Sequence, residues 1–414
     1  MNHFAINTAK TPISETHLRQ LQSGHITDDI IWEGKGLLFS ELEVQRYLDE
    51  EYRHDEFVIT SGGEDKLQTK SSGERKKALL EYQLKQNPDL LILDNPFDML
   101  DQETVKTFRA KLRELADTVN LVLIYRQLRD LLGFIDHLLI IDDSGKFKVT
   151  KRSENGVRVG SRTVGIPPLR EMSEQLGTLP EELIAFKKVS VKYGDKPVLD
   201  SIDWTIKKGE FWYLVGPNGS GKTTMLSMIF GNNPKGYGKE LYIFGRKKGS
   251  GESVWEIKKK IGYFTTNITE RFTGTHTVLD MVISGLHDSV GLYRKVKESD
   301  RQLAKQWLQV IELEDKSKQR FIDLPEVEKR LVLIARAMIK QPPLLILDEP
   351  TAALDDQGAM LVLGLIHAIS LKTDCTILYV SHRLEKGIEP DFVFQLQAGE
   401  NGSTGLVHKV SSNE

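Results

Sequence analysis

The 414-residue sequence predicts an α/β fold in which a largely parallel sheet is built twice along one chain. Three observations carry that expectation. The stretch "LLILDNPFDMLD" (90–101) returns as "LLILDEPTAALD" (344–355), an apolar strand that ends in an aspartate and runs into a turn proline. A second apolar strand follows each copy, "LVLIYRQL" (121–128) and "ILYVSHRL" (377–384), in the same order. Amphipathic stretches such as "EVEKRLVLIARAMIKQ" separate the strands. Short continuous apolar strands belong to sheets covered on both faces, and alternation with helices supplies the cover.

The repeat also extends upstream. Lys70 opens "KSSGERK" and Leu324 opens "LPEVEKR", each 24 residues before its strand-end aspartate (94 − 70 and 348 − 324). Two domains follow, at 1–150 and 183–414, in keeping with the usual size of a domain. Between them, 151–182 belongs to a stretch rich in Gly, Ser, Pro and basic residues with weak periodicity, which is the composition of a linker.

Composition excludes several classes. With 39% apolar and 28% charged residues, the chain has the balance of a soluble globular protein. Its longest apolar runs fall well short of the roughly 18 residues that span a bilayer. The N-terminus lacks the basic start and apolar segment of a secretory leader, so a cytoplasmic location is expected, with attachment at the inner membrane face left open. A net charge of −3 gives no bulk attraction to nucleic acid. The lone cysteine, Cys375, precedes an apolar strand and reads as a buried thiol.

The strongest chemical signal is "FWYLVGPNGSGKTTMLSMIFG" (211–231), a strand, a Gly-rich turn and a helix that match G-x-x-x-x-G-K-[ST] in the required context. Gly216, Gly219 and Gly221 let the backbone of the loop, with Asn218 and Thr224 at its sides, curl its N–H groups towards phosphate oxygens. Lys222 would reach the β- and γ-phosphates of ATP, and the Thr223 hydroxyl would hold Mg²⁺. Asp348 ends a buried strand, which sets its carboxylate beside the phosphates as a second Mg²⁺ ligand. Glu349, one residue further out, is the candidate to polarise the attacking water.

Together, "GPNGSGKTT", "LLILDEP", the "AALD" turn and "YVSH" resemble the ATP-binding cassette ATPases over essentially all of 183–414. The resemblance implies a tandem phosphate-loop fold, ATP hydrolysis with Mg²⁺, and a γ-phosphate contact for His382. It also implies an adenine-stacking role for Tyr193, for which packing on a strand neighbour is the alternative. Two positions depart from the family. Thr266 stands where a loop glutamine is expected, and "LPEVEKR" replaces the "LSGGQQR" signature. Pro325 has no N–H, Glu326 brings negative charge towards phosphate, and Val327 blocks close approach.

The first domain shows the reciprocal pattern. Ser71 and Gly73 in "KSSGERK" form a serviceable signature at a helix start, but no phosphate loop occurs in 1–70, Asn95 replaces the glutamate, and Arg126 replaces the histidine. "SGGEDK" (61–66) has a Gly pair and a Lys at the wrong spacing. Cassettes of this family sandwich nucleotide head to tail, which implies intramolecular pairing of the two domains around one complete composite site. A closer similarity, carried by 236–263 and 47–66, is to the tandem-cassette ATPases associated with molybdate transport or photorepair, with the first domain here shortened and degenerate. The expected activity is ATP hydrolysis, with the chain as the ATP-binding component of a transport system and a membrane permease subunit as a conceivable partner. The rivals are a non-hydrolytic ATP-dependent clamp and a ribosome-acting tandem cassette factor.

Overall fold

Two runs of parallel strands dominate the computed structural model, which describes residues 2–9, 11–27, 29–34, 36–54, 57–60, 66–142, 144–152, 179–266, 274–289, 292, 296–382, 385 and 387–410. The linker read at 151–182 and the "SGGEDK" motif lie mostly outside the described residues. The chain divides into two compact units, Met1–Val159 with Ala353–Asp356, and Gly160–Ala352 with Gln357–Glu414.

In the first unit the order is β1 (Phe4–Asn7), α1 (Glu15–Gln22), β2 (His25–Thr27), β3 (Ile30–Ile31), β4 (Gly36–Phe39), α2 (Glu41–His54), α3 (Ser72–Leu84), β5 (Leu90–Asp94), α4 (Gln102–Leu115), β6 (Asn120–Tyr125), β7 (His137–Ile141) and β8 (Phe147–Lys151). Its sheet runs β4-β5-β6-β1-β7-β8 and is parallel except for the last pair. The strand "LLIL" at 90–93 is buried residue by residue, because α3 and α4 pack Leu79, Leu80 and Leu112 on one face while Leu21 of α1 closes the other.

The second unit begins with a hairpin, β9 (Glu182–Tyr193) and β10 (Lys196–Lys207), before β11 (Phe211–Val215) and α5 (Lys222–Ile229). There follow β12 (Leu241–Ile243), β13 (Arg246–Lys247), α6 (Val254–Lys259), β14 (Ile261–Thr265), α7 (Val278–Ser284), α8 (Glu298–Val310) and α9 (Glu326–Met338). The chain ends with β15 (Leu344–Asp348), α10 (Asp356–Lys372), β16 (Thr376–Val380), β17 (Phe392–Gln397) and β18 (Thr404–Lys409). Its main sheet runs β14-β15-β16-β11-β17-β18, the same order as in the first unit, again with only the last pair antiparallel.

A separate antiparallel sheet, β10-β9-β12-β13, packs on this main sheet. Trp204 joins the two layers, with its ring 4.4 Å from Phe394 and 5.6 Å from Trp212. The strand that delivers the Gly-rich loop is thereby clamped from its flank. Among the described residues the first unit has no counterpart of this second sheet; the short pair β2–β3 fills the interval between β1 and β4. Cys375 is buried as expected, and burial pushes its thiol up to about 12.

Candidate functional site

The site of the second unit begins where β11 stops. Gly216 leaves the strand at a place where a Cβ would meet Leu396 Cβ and Ser220 Oγ at 2.8 Å, so only glycine keeps the loop this tight. Gly219 and Gly221 follow at φ +77° and +96°, the left-handed region that glycine reaches without strain. At Gly221 the helix α5 starts with no side-chain cap, and an N-terminus of this kind favours an anion. Ser220 is buried at 2% exposure and its hydroxyl has no partner. The Lys222 ammonium curls back onto the carbonyls of Gly216 (2.7 Å) and Pro217 (3.0 Å). Asn218 and Thr224 flank it half-buried, and Thr223 is exposed. A helix start without a side-chain cap, an orphaned serine hydroxyl and a lysine turned into the loop form a cradle suited to an anion.

Asp348 and Glu349 reach the cradle from β15. The Asp348 carboxyl is pushed up to about 6, by burial first and by the neighbouring Glu349 charge second, against the opposing pull of Lys222 and a hydrogen bond from Thr265. A cation at this place would relieve that penalty, so the donor set of Asp348 and the Thr223 hydroxyl fits a hard divalent ion such as Mg²⁺. Glu349 adopts φ +52°, held by its N–H donating to Val380 O at 2.9 Å, and this turn aims its carboxylate at His382. His382 Nδ1 lies 2.9 Å from Glu349 Oε1. The base candidate and the γ-phosphate candidate are therefore one hydrogen-bonded pair.

Tyr193 lies at the end of β9, 44% exposed, with the Lys235 ammonium 5.5 Å from its ring centroid. Asn233 donates to the Tyr193 hydroxyl (2.7 Å) and to Ser227 Oγ on α5 (3.0 Å), which ties the aromatic position to the loop helix. Thr266 directly follows β14, beside the strand end that carries Asp348, since Thr265 is the register partner of Asp348. Sequence reading missed Ser220, Thr265 and Asn233. Only Ser220 sat inside a motif; the other two are brought in by strand register and by the turn after α5.

The first unit repeats the frame without the chemistry. Asn95 takes the same left-handed turn, φ +43°, and its N–H donates to Ile124 O at 3.0 Å. Its side-chain amide turns onto Asp94 at 2.7 Å. Arg126, in the place of His382, lies 3.6 Å from Asp98. Where the second unit has its loop, α1 is closed by a capping box: Ser14 Oγ accepts from the His17 N–H, and His17 Nδ1 accepts from the Ser14 N–H. Ser71 caps α3 in the same manner with Glu74, its hydroxyl 2.7 Å from Glu74 Oε2. Gly73 follows on the first turn, close to Thr104. The corresponding helix in the second unit, α9, starts at Pro325 with no side-chain cap, and its first-turn acids are engaged, Glu326 with Arg330 and Glu328 with Lys316. Val327 is half-buried between them.

The protein-family model for "ABC transporter" matches residues 199–352. The ABC transporter ATP-binding protein ModF of Escherichia coli K12 is 33% identical over 342 residues, which cover 80% of this chain and 70% of that protein. The chain belongs to the ABC transporter ATP-binding family. An uncharacterized ABC transporter ATP-binding protein of Schizosaccharomyces pombe is 30% identical over 69% of this chain and 59% of its own length. A putative ABC transporter ATP-binding protein of Streptococcus mutans is 34% identical over 49% of this chain and 78% of its own. This ABC protein is accordingly a nucleotide-binding ATPase with the mixed α/β fold of its family. Among its described residues no helix is long and apolar enough to cross a membrane.

Proposed function

We propose that this ABC ATPase binds and hydrolyses one ATP per chain at a composite site, with Lys222, Asp348, Glu349 and His382 contributed by the second unit and Ser71 and Gly73 by the first, a degenerate cassette. The observation that carries the reading is the contrast in helix starts. The helix after Gly221 is uncapped beside an orphaned serine hydroxyl, whereas the helix after Ser14 is sealed by its own side chains. One unit offers a phosphate cradle and the other withholds it.

In this reading Gly216, Asn218, Gly219, Gly221, Lys222 and Thr224 hold the phosphates, Tyr193 stacks on adenine, and Thr223 with Asp348 holds Mg²⁺. Mg²⁺ held by these residues would supply neutralisation of the phosphate charge. Lys222 leaves its carbonyl partners for the phosphates. Glu349, oriented by His382, accepts a proton from the attacking water, and His382 then faces the γ-phosphate. Ser71 must turn its hydroxyl from Glu74 to the γ-phosphate as the cassettes pair. In a transport system the chain would be the ATP-binding component, acting on a membrane permease subunit, as the names of its relatives suggest. Thr266, in place of a coupling glutamine, favours a second reading as an ATP-dependent clamp with little turnover.

Titration calorimetry with MgATP on the full chain tests the site. One binding event, lost in Lys222→Ala, is expected; two tight events, or unchanged affinity in that variant, would overturn the composite reading. Steady-state phosphate release separates the ATPase from the clamp.

A further inference from the structure

Behind the Glu349–His382 pair lies a buried polar network that the phosphate chemistry does not itself require. Tyr213 on β11 and Tyr379 on β16 are register partners, with stacked rings 4.9 Å apart and 23° between planes. Both are essentially inaccessible, at 1% and 0% exposure. Thr351, two residues after Glu349 and equally buried, has its hydroxyl 3.1 Å from the Tyr379 hydroxyl and donates to Glu385 Oε1 at 3.0 Å. Since Thr351 has one proton to give, Tyr379 is the donor in their bond. Glu385, three residues after His382, donates its N–H to the Tyr213 hydroxyl at 3.0 Å. The chain of bonds thus runs from the turn carrying Glu349 to the segment carrying His382. It is anchored on the strand that feeds the phosphate loop.

The first unit is an internal control. The bonds Asn95 N–H to Ile124 O and Glu349 N–H to Val380 O equate the two turns, so Leu123 takes the place of Tyr379. Ala5 is the register partner of Leu123 and takes the place of Tyr213. Counting onward by sequence, Phe97 replaces Thr351 and Arg129 replaces Glu385. Ala5, Leu123 and Phe97 are all at 0–1% exposure. The same strand order and the same left-handed turn therefore form around an apolar filling. Buried hydroxyls are costlier to place than apolar groups unless every one is satisfied, so the fold does not demand them.

We propose that Tyr213, Tyr379, Thr351 and Glu385 are positioning residues for hydrolysis, which lock the base turn and the histidine segment in mutual register so that Glu349 and His382 move as a unit. The proposal rests on the reading of Glu349 and His382 as the catalytic pair. The network accompanies that pair and is missing where the pair is missing.

Steady-state ATP hydrolysis by the full chain tests it, with Glu349→Gln as the reference. Thr351→Val keeps volume and loses the hydroxyl; it should lower kcat about tenfold with the KM for ATP within about twofold, whereas Thr351→Ser should restore most of kcat. Tyr379→Phe keeps the stacked ring and should lower kcat about threefold, and adding it to Thr351→Val should cause little further loss because both act through one chain of bonds. Wild-type kcat in Thr351→Val, equal losses in Val and Ser, or additive losses in the double variant would each overturn the proposal. Should Glu349→Gln itself retain full turnover, the catalytic reading fails in that arm, independently of the other variants.

Discussion

The two units present the same six-stranded order and the same left-handed turn after their central aspartate, yet opposite helix starts. In the first, Ser14 and His17 satisfy the opening N–H groups of α1. In the second, Gly221 supplies no side-chain cap to α5. A cap contributes about 1 kcal/mol to a helix, so an uncapped start forgoes stability that a ligand can return. The difference teaches that strand order is set by apolar patterning, which both units keep, while chemistry depends on a handful of polar positions, which only one keeps.

The comparison breaks most sharply at the base. Glu349→Gln should slow ATP hydrolysis by about a hundredfold or more with nucleotide binding retained, as expected if the proposed base acts mainly in the transition state. Its mirror, Asn95→Glu in the first unit, should change turnover less than about twofold. Activity gained or lost in the mirror variant would mean that the first unit has a nucleotide site of its own.

A smaller effect is expected from the other half of the asymmetry. Under the proposed composite site, Ser71→Ala with Gly73→Asp should reduce hydrolysis about tenfold or more, because a charged side chain would replace the glycine proposed to approach phosphate. Alanine at Pro325 or Val327 should leave turnover close to wild type. Circular dichroism on the Ser71/Gly73 variant separates loss of the cap from loss of the site. Equal sensitivity at both helix starts would erase the division of labour.

The third contrast is electrostatic. Asp348 is pushed up to about 6, chiefly by burial and then by Glu349, whereas an unfolded aspartate titrates near about 3.9. Because the folded value is the higher one, the stabilising contribution of this group is complete below about pH 4 and lost as pH rises through about 6. Nucleotide-free Asp348→Asn should therefore melt above wild type at about pH 7.5, by on the order of 1–3 kcal/mol in stability, and lose that advantage at about pH 4. Asp94 is raised too, mainly by burial, with the Asn95 amide opposing, so Asp94→Asn should show the same sign. A pH-independent gain in either variant would sink the linkage argument.

Smallest of all, Ser14→Ala should cost about 1 kcal/mol of stability, read by denaturant unfolding, through loss of the α1 cap. It should not create nucleotide binding, since the sequence has no G-x-x-x-x-G-K-[ST] loop before that helix. Acquired ATP affinity would show that the cap, and not the missing loop, had closed the first unit.

Much of this was legible in the chain itself. The "LLILD" runs gave both central strands because a strand buried on two faces must be apolar throughout, and the Gly-rich turn gave the phosphate loop because few other residues tolerate φ +77° and +96°. The pairing of a lost loop with a retained "SSGE", and the reverse, was also readable as letters. Less legible were residues whose role depends on a neighbour far along the chain. Thr265 reaches Asp348 only because β14 and β15 lie side by side in one register. Asn233 bridges Tyr193 and Ser227 only because the turn after α5 folds back over the hairpin. Tyr213 and Tyr379, 166 residues apart (379 − 213), looked like two more apolar strand positions until the sheet set them against each other.

The sequence by itself determined which strands are buried, where the phosphate loop turns, and which unit holds the acid, the base candidate and the histidine. Those follow from local sterics and from hydrophobic periodicity, which act over a few residues. Tertiary structure alone decided how far the Asp348 carboxyl is desolvated, that the Glu349 turn is locked by Val380 O, that Glu349 meets His382 at 2.9 Å, and that a buried hydroxyl network backs the pair. Those depend on strand register and packing between segments tens to hundreds of residues apart, where a shift of one position would turn every side chain to the opposite face.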